Sequence, residues 1–241
     1  METGKTGKYL KYAIGEIVLV VIGILIALSI NNWNEKRLKK IQVDGYLRSL
    51  IVDLKSDILQ YESNIEGYQS GYDNINRILL NDVYKKLEVD SISELIAGYW
   101  NLNRTSDQTY QKIKNAGLLE MLGTIEINNA VNDYYNISIS HYDYLINWDK
   151  ELTERDGFFW HYNDQYESNA NNRFRSSSLP FKEDAAKRKD DLIRLIESTL
   201  GRNYLRNAIT RDEYGLLIVR DIKSKAENII ALIEKDLSNK Q

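Results

Sequence analysis

Apolar and polar positions divide the chain into a short N-terminal part and a longer C-terminal part. Residues 13–30 read AIGEIVLVVIGILIALSI, an apolar run interrupted by a single acid, Glu16. A helix that crosses a hydrocarbon core of about 30 Å needs roughly 20 such residues. Tyr12 and Trp33 bracket the run about 31 Å apart on a helix, so each ring would lie at a membrane interface, where such side chains are enriched. We predict a transmembrane helix over residues 12–33.

Basic residues flank this run on both sides, beginning with a short basic leader over residues 1–11. The alternative is a cleaved signal peptide, because a basic start, an apolar segment and the small-x-small sequence at residues 27–29 match that pattern as well. The length of the run, the acid Glu16 inside it and the charged cluster after Trp33 favour an uncleaved signal anchor. The two flanks differ little in charge, so the positive-inside rule does not orient the helix by itself.

The C-terminal part begins with apolar residues that recur in steps of four and three. This spacing is a heptad stripe, and it predicts a long helix in a bundle or in an intermolecular coiled coil. Gly67 and Gly71 interrupt the pattern and cost a helix roughly 1 kcal/mol each relative to alanine, so we expect a bend or break near them. The stripe consists of Leu47, Ile51, Leu54, Ile58, Tyr61, Ile65, Tyr68, Tyr72, Ile75 and Leu79.

The rest of the chain also has helical periodicity, and no strand-like alternation is sustained. Proline, which breaks helices, occurs once, at Pro180. We predict an all-α protein in which one N-terminal transmembrane helix continues into a long-helix bundle domain over residues 34–241. The helices expected after the stripe cover residues 91–100, 108–121, 125–159, 183–200 and 204–237, and the polar segment 164–180 is expected to be a loop.

Charge and composition narrow the function classes. The net charge is −3. Residues 1–40 carry seven Lys or Arg and three Glu, hence +4, which leaves −7 for the remainder. An acidic domain is a poor partner for nucleic acid, whose binding depends on neutralising phosphates. The chain has no cysteine, which excludes disulfides, thiol nucleophiles and thiolate metal sites.

The search for catalytic and metal-binding patterns is negative. The two histidines, His141 and His161, lie twenty residues apart and belong to no metal-binding motif. Residues 4–6 (GKT) resemble the end of a phosphate-binding loop, but the preceding strand and loop are missing. The acids at residues 154–156 and 190–191 are interpreted as solvated helix surface. We therefore expect no enzyme activity, no cofactor and no metal site.

Two features of the predicted span are candidate sites. Gly15, Gly23 and Ala27 provide small residues through which helices can approach closely in lipid. Glu16 is an acid inside the apolar run, where a charge is costly and often functional. It would make a polar contact, act as a protonatable group in an ion pathway, or simply reach the interface. Trp33 marks the interface at the end of the span.

The span also resembles a known family. Residues 12–37, YAIGEIVLVVIGILIALSINNWNEKR, are similar to the N-terminal signature of a family of uncharacterised single-span bacterial membrane proteins, YAIGEI…VIGILIAL…INNWNE. A weaker similarity covers residues 109–135. The resemblance implies a helical domain after the span and a cytoplasmic N-terminus. It implies no activity and no catalytic residue.

These observations favour a protein that acts by association in the cell inner (cytoplasmic) membrane. The expected partners are membrane lipid and either a second copy of the chain or another membrane protein. The domain is expected on the extracytoplasmic side. One alternative is a ligand-sensing helical domain that signals through a partner, and a further one is an ion-coupled motor subunit that uses Glu16.

Overall fold

The polypeptide forms helices joined mostly by short turns. The computed structural model describes residues 3–98, 105–168 and 180–240, with side chains from Ile14 onward. No β-strand occurs within these residues, and the predicted all-α class is confirmed. The helices are α1 (Thr3–Leu79), α2 (Val89–Leu95), α3 (Gln108–Asn115), α4 (Ile125–Asp133), α5 (Ile139–His161), α6 (Ala185–Glu197) and α7 (Thr199–Ser238).

Local sequence explains several of the helix ends. Gly117 follows α3 with φ of 65°, a conformation that glycine adopts without steric cost, so α3 is shorter than the predicted helix over residues 108–121. The π-helical turn Tyr134–Ser138 joins α4 to α5 without a loop. The helical segment is therefore continuous, in agreement with the predicted helix over residues 125–159. Of the predicted loop 164–180, residues 169–179 lie outside the described part of the chain, and residues 164–168 are not helical.

Helix α1 runs from the apolar segment into the bundle without a break. It has 77 residues and is therefore about 115 Å long. An 18-residue window in it has a mean hydropathy of 2.5 and no buried residues, so α1 is apolar enough to cross a membrane. A break at Gly67 or Gly71, one of the two expected outcomes, does not occur, because the helix continues through both residues. Gly71 lies against Asp212 of α7, and this packing offsets the low helix propensity of glycine.

Only half of the predicted heptad stripe forms the core. Its members Leu47, Leu54, Tyr61, Tyr68 and Ile75 are buried, whereas the alternate ones are only partly buried. A second buried row lies beside the first, and it contains polar residues that the hydrophobic pattern did not include. This second row consists of Val43, Leu50, Asp57, Asn64 and Ile78, with the partly buried Gly71 at the same seven-residue spacing.

Helix α7 packs antiparallel along α1. Lys240, just after the C-terminal end of α7, contacts Asp44 of α1, and Arg202, near the start of α7, donates to the carbonyl of Leu79. The two helices enclose two apolar clusters with α5. The first extends from Val43 to Tyr68 on α1 and includes α3, α4 and the C-terminal half of α7. The second surrounds the distal end of α1 with α2, α6 and the start of α7.

Candidate functional site

The five residues predicted as membrane-interface or association candidates all lie on α1. The side chains of Glu16, Ala27 and Trp33 are exposed within the chain, and nothing lies within 4 Å of a Cβ placed on Gly15 or Gly23. A helix turns about 100° per residue, so Gly23, Ala27 and Glu16 lie within about 40° of one azimuth. Gly15 lies about 80° from Gly23. The helix therefore groups Glu16 with Gly23 and Ala27.

A buried layer of charged side chains separates the two apolar clusters. Arg211 of α7 lies between two acids of α5, with Nε 2.9 Å from Asp149 Oδ1 and Nη2 2.9 Å from Asp156 Oδ2. Arg211 is 3% exposed and Asp149 is fully buried. Because charges removed from water are costly unless they are paired, this arrangement fixes how α5 and α7 pack together.

Neighbouring polar groups complete the layer. Tyr68 of α1 donates a hydrogen bond of 2.7 Å to Asp149 Oδ2, and Thr153 donates one of 3.2 Å to Asp149 Oδ1. Burial raises the pKa of Asp149 above its usual range, and the bonds from Tyr68 and Arg211 oppose that rise. The layer therefore joins α1, α5 and α7 at one level of the bundle.

Asp212 is the acid of this layer whose pKa is raised most strongly. It is buried, and its carboxylate lies against the backbone of Gly71. Burial raises the pKa of Asp212 to about 7, Arg211 opposes the rise, and the charges of Asp149 and Asp156 add to it. A carboxyl with such a pKa changes charge near neutral pH, so the charge of this layer depends on pH.

A second buried polar group lies inside the first apolar cluster. Tyr61 and Tyr134 share a hydrogen bond of 2.8 Å between their hydroxyls, and Asn64 donates to the Tyr142 hydroxyl at 2.5 Å. Asp57, on the same face of α1, accepts from the backbone N–H of Ser106 at 3.0 Å. Burial is the largest cause that raises the pKa of Asp57 to about 6. Polar residues thus line the inner face of α1 on consecutive turns.

An open cavity of about 450 Å³ lies where α3 meets the turn between α4 and α5. The rings of Tyr110 and Tyr135 stack at its side with centroids 4.4 Å apart, and Asn136 donates to the Tyr110 hydroxyl at 2.9 Å. Its lining includes both charge signs, Lys114 with Asp107 and Asp143. This volume and mixed lining suit a small polar molecule.

No group of acids and histidines suited to a metal ion occurs among the residues for which coordinates are described. The buried acids instead face Arg211 or hydrogen-bond donors. Chemically, the polar layer can store or release protons and can hold three helices in register. The cavity is open to solvent and large enough for a small molecule.

Sequence reasoning missed the polar layer. It treated residues 154–156 and 190–191 as solvated surface, which is wrong for Asp156 and Asp191. Both are buried: Asp156 pairs with Arg211, and Asp191 contacts Lys187 at 2.7 Å and Arg194 at 3.1 Å. Tyr142, Asp149 and Asp156 recur every seven residues along α5, but this spacing does not by itself show that the two acids are buried.

Comparison with known proteins adds a family match and no function. Residues 16–135 match the model of a family of unknown function, DUF6090. This match includes most of the apolar run, the inner face of α1 and the cavity-lining residues up to Tyr135. No curated protein matches the chain, and no solved structure matches it.

Proposed function

We propose that the chain is a single-span membrane anchor whose helical domain acts by association, with itself or as a subunit of a membrane complex. The observation that carries this proposal is the continuity of α1. One helix provides both the exposed apolar segment and the inner face of the bundle. A rotation or displacement of the span is therefore transmitted to the buried polar layer without a flexible linker between them. In the same way, a contact made by the domain is transmitted along α1 to the span.

The proposed location is the inner (cytoplasmic) membrane, with a single pass and the domain on the extracytoplasmic side. The exposed apolar segment supports membrane insertion, and the resemblance of residues 12–37 to single-span bacterial membrane proteins supports the orientation. Reporter fusions at the C-terminus test the side. We expect a reporter that works only outside the cytoplasm to be active there, and activity of a cytoplasmic reporter would contradict the orientation.

Purification of the full-length protein in a mild detergent tests association directly. We expect the native mass to exceed that of one chain, or a second membrane protein to co-purify in constant ratio. The Gly23→Ile, Ala27→Ile double variant should weaken that association, because bulky residues prevent close helix approach. The Val21→Phe, Leu25→Phe double variant adds bulk on the opposite face and serves as the control. A monomer with no co-purifying partner would contradict the proposal.

Glu16 lies on the same side of α1 as Gly23 and Ala27, so the association assay also tests its role. Glu16→Gln keeps the shape and the hydrogen bonding but removes the charge and proton exchange, whereas Glu16→Leu removes the hydrogen bonding as well and eases insertion. Retained association in the Gln variant and loss in the Leu variant would identify a polar contact. Loss in both would indicate a required charge or proton, as in an ion pathway. Wild-type behaviour of both would show that Glu16 is not part of an association site.

Ligand sensing through a partner is the second candidate, and the cavity beside the Tyr110–Tyr135 stack favours it. Its mixed charges suit a small zwitterion, for which free amino acids are the probes. A bound ligand raises thermal stability with its concentration. We expect Lys114→Met to abolish such a shift and Lys112→Met, on the same helix but outside the cavity lining, to preserve it. No shift with any amino acid would contradict this candidate.

A further inference from the structure

Helix α1 carries a second heptad stripe on the face opposite the bundle core. Val52 and Leu59 are 67% and 68% exposed, although Leu50 and Leu54 on the other side of α1 are fully buried. Apolar or small residues continue this exposed face toward the span at Leu38 and Gly45, and serines alternate with them at the four-three spacing of a heptad. The outer stripe consists of Leu38, Gly45, Ser49, Val52, Ser56, Leu59 and Ser63, all of them exposed.

The outer stripe lies in line with the small residues of the span. Five turns of an α-helix contain 18 residues, so positions 18 apart share an azimuth. Ala27, Gly45 and Ser63 are successively 18 positions apart and therefore share an azimuth. Gly23 and Leu59 are 36 positions apart, twice this repeat, and share an azimuth as well. Because α1 is uninterrupted, one face of the helix continues from the small residues in the apolar segment along about 38 Å of helix between Leu38 and Ser63.

We propose that this face is the interface of a parallel homodimer, in which α1 packs against α1 of a second copy. The proposal rests on the anchoring and association proposed above and names the partner and the surface. Two copies inserted in one membrane have their α1 helices parallel, which places every stripe residue opposite its own counterpart. No charged residue belongs to the outer stripe, so the symmetry brings no like charges together.

Charge complementarity at the edges of the stripe supports a second copy as the occupant. With the serines as heptad position a and Gly45, Val52 and Leu59 as position d, Arg48 occupies g and Asp53 occupies e. Positions g and e′ of a parallel pair face one another, so Arg48 of each copy lies opposite Asp53 of the other. In the next such pair, Lys55 lies opposite Gln60, whose side chain is neutral, so this pair brings no like charges together. Serine occupies position a in three successive heptads, at residues 49, 56 and 63, and is small enough for the helix backbones to approach closely there.

Cysteine cross-linking tests the interface cleanly, because the native chain has no cysteine. Single Ser49→Cys, Ser56→Cys and Ser63→Cys variants of the full-length protein are oxidised in native membranes. Ser140→Cys on α5 and Ser224→Cys on α7 replace other exposed serines and are matched controls. Disulfides need Cα atoms within about 7 Å, so we expect at least about tenfold more linked dimer from the stripe variants than from the controls.

A second comparison uses an introduced charge, with native mass in mild detergent as the measurement. Leu59→Lys should shift the full-length protein from dimer toward monomer, whereas Leu217→Lys, at a leucine of α7 that is 64% exposed, should leave the dimer unchanged. A wild-type dimer that links equally through stripe and control cysteines, or that withstands Leu59→Lys, would overturn the interface and leave association standing. A single copy bound to a different membrane protein would do the same. A monomer without any partner would overturn both proposals.

Discussion

Gly215 of α7 lies so close to Tyr68 of α1 that a Cβ on it would come within 2.7 Å of the tyrosine ring. The ring cannot move aside freely, because the Tyr68 hydroxyl is bonded to Asp149. The absence of a side chain at Gly215 therefore sets the distance between α1 and α7 at the buried polar layer. The layer therefore holds α1, α5 and α7 together at one level of the bundle.

Replacing Gly215 with alanine should destabilise the protein. The added methyl group must displace the Tyr68 ring or separate the helices, and overpacking of this kind costs about 1–3 kcal/mol. Gly157→Ala on α5 is the control, because nothing lies within 4 Å of a Cβ there and alanine favours the helix. Thermal unfolding of both variants checks the prediction, which fails if Gly215→Ala is as stable as the wild type.

Removing Arg211 should be among the most damaging single changes. Arg211→Met leaves the carboxylates of Asp149 and Asp156 buried without their cation, at a cost of about 3–5 kcal/mol. Arg155→Met is the control. Arg155 forms an ion pair with Glu151 at 3.7 Å in which both side chains are exposed, and an exposed pair of this type contributes about 0–1 kcal/mol to stability. Chemical denaturation compares the two. Equal stability of the variants would show that the buried layer contributes nothing.

The polar layer should also make stability depend on pH. The pKa of Asp212 is raised to about 7 in the folded protein, above its unfolded value, so the folded state binds the proton more tightly. Stability from this group is therefore present at low pH and lost as pH rises from about 4 through 7. Asp212→Asn should remove that loss and raise stability at pH 8. Denaturation of wild type and variant at pH 5 and pH 8 measures it, and an unchanged pH dependence would contradict the prediction.

The two sets of residues in the predicted heptad stripe should differ in their contribution to stability. Leu54 is fully buried, so Leu54→Ala should cost about 3 kcal/mol. Ile58 is only partly buried at the edge of the cluster, so Ile58→Ala should cost at least about 1 kcal/mol less, because the lost group was partly in water. Equal costs for the two substitutions would show that the buried row has been misplaced.

Hydrophobic spacing predicted the helices well and the core only in part. Leu47, Leu54 and Tyr68 were identified because apolar side chains mark a helix face. Asp57 and Asn64 were missed, because a polar residue in the sequence gives no sign of whether partners from other helices will bury it. Arg211 reaches Asp149 across 62 positions of sequence, and only the packing of α5 against α7 brings them together. The polar layer and the cavity therefore required tertiary structure.

One uncleaved helix is proposed to anchor the domain in the membrane. The most direct measurement is the intact mass of the protein that remains in membranes after an alkaline wash. We predict that it corresponds to the full chain of 28.1 kDa, with the leader and residues 12–33 still attached. A protein released by the wash, or a mature chain that begins near Ile30, would contradict the claim.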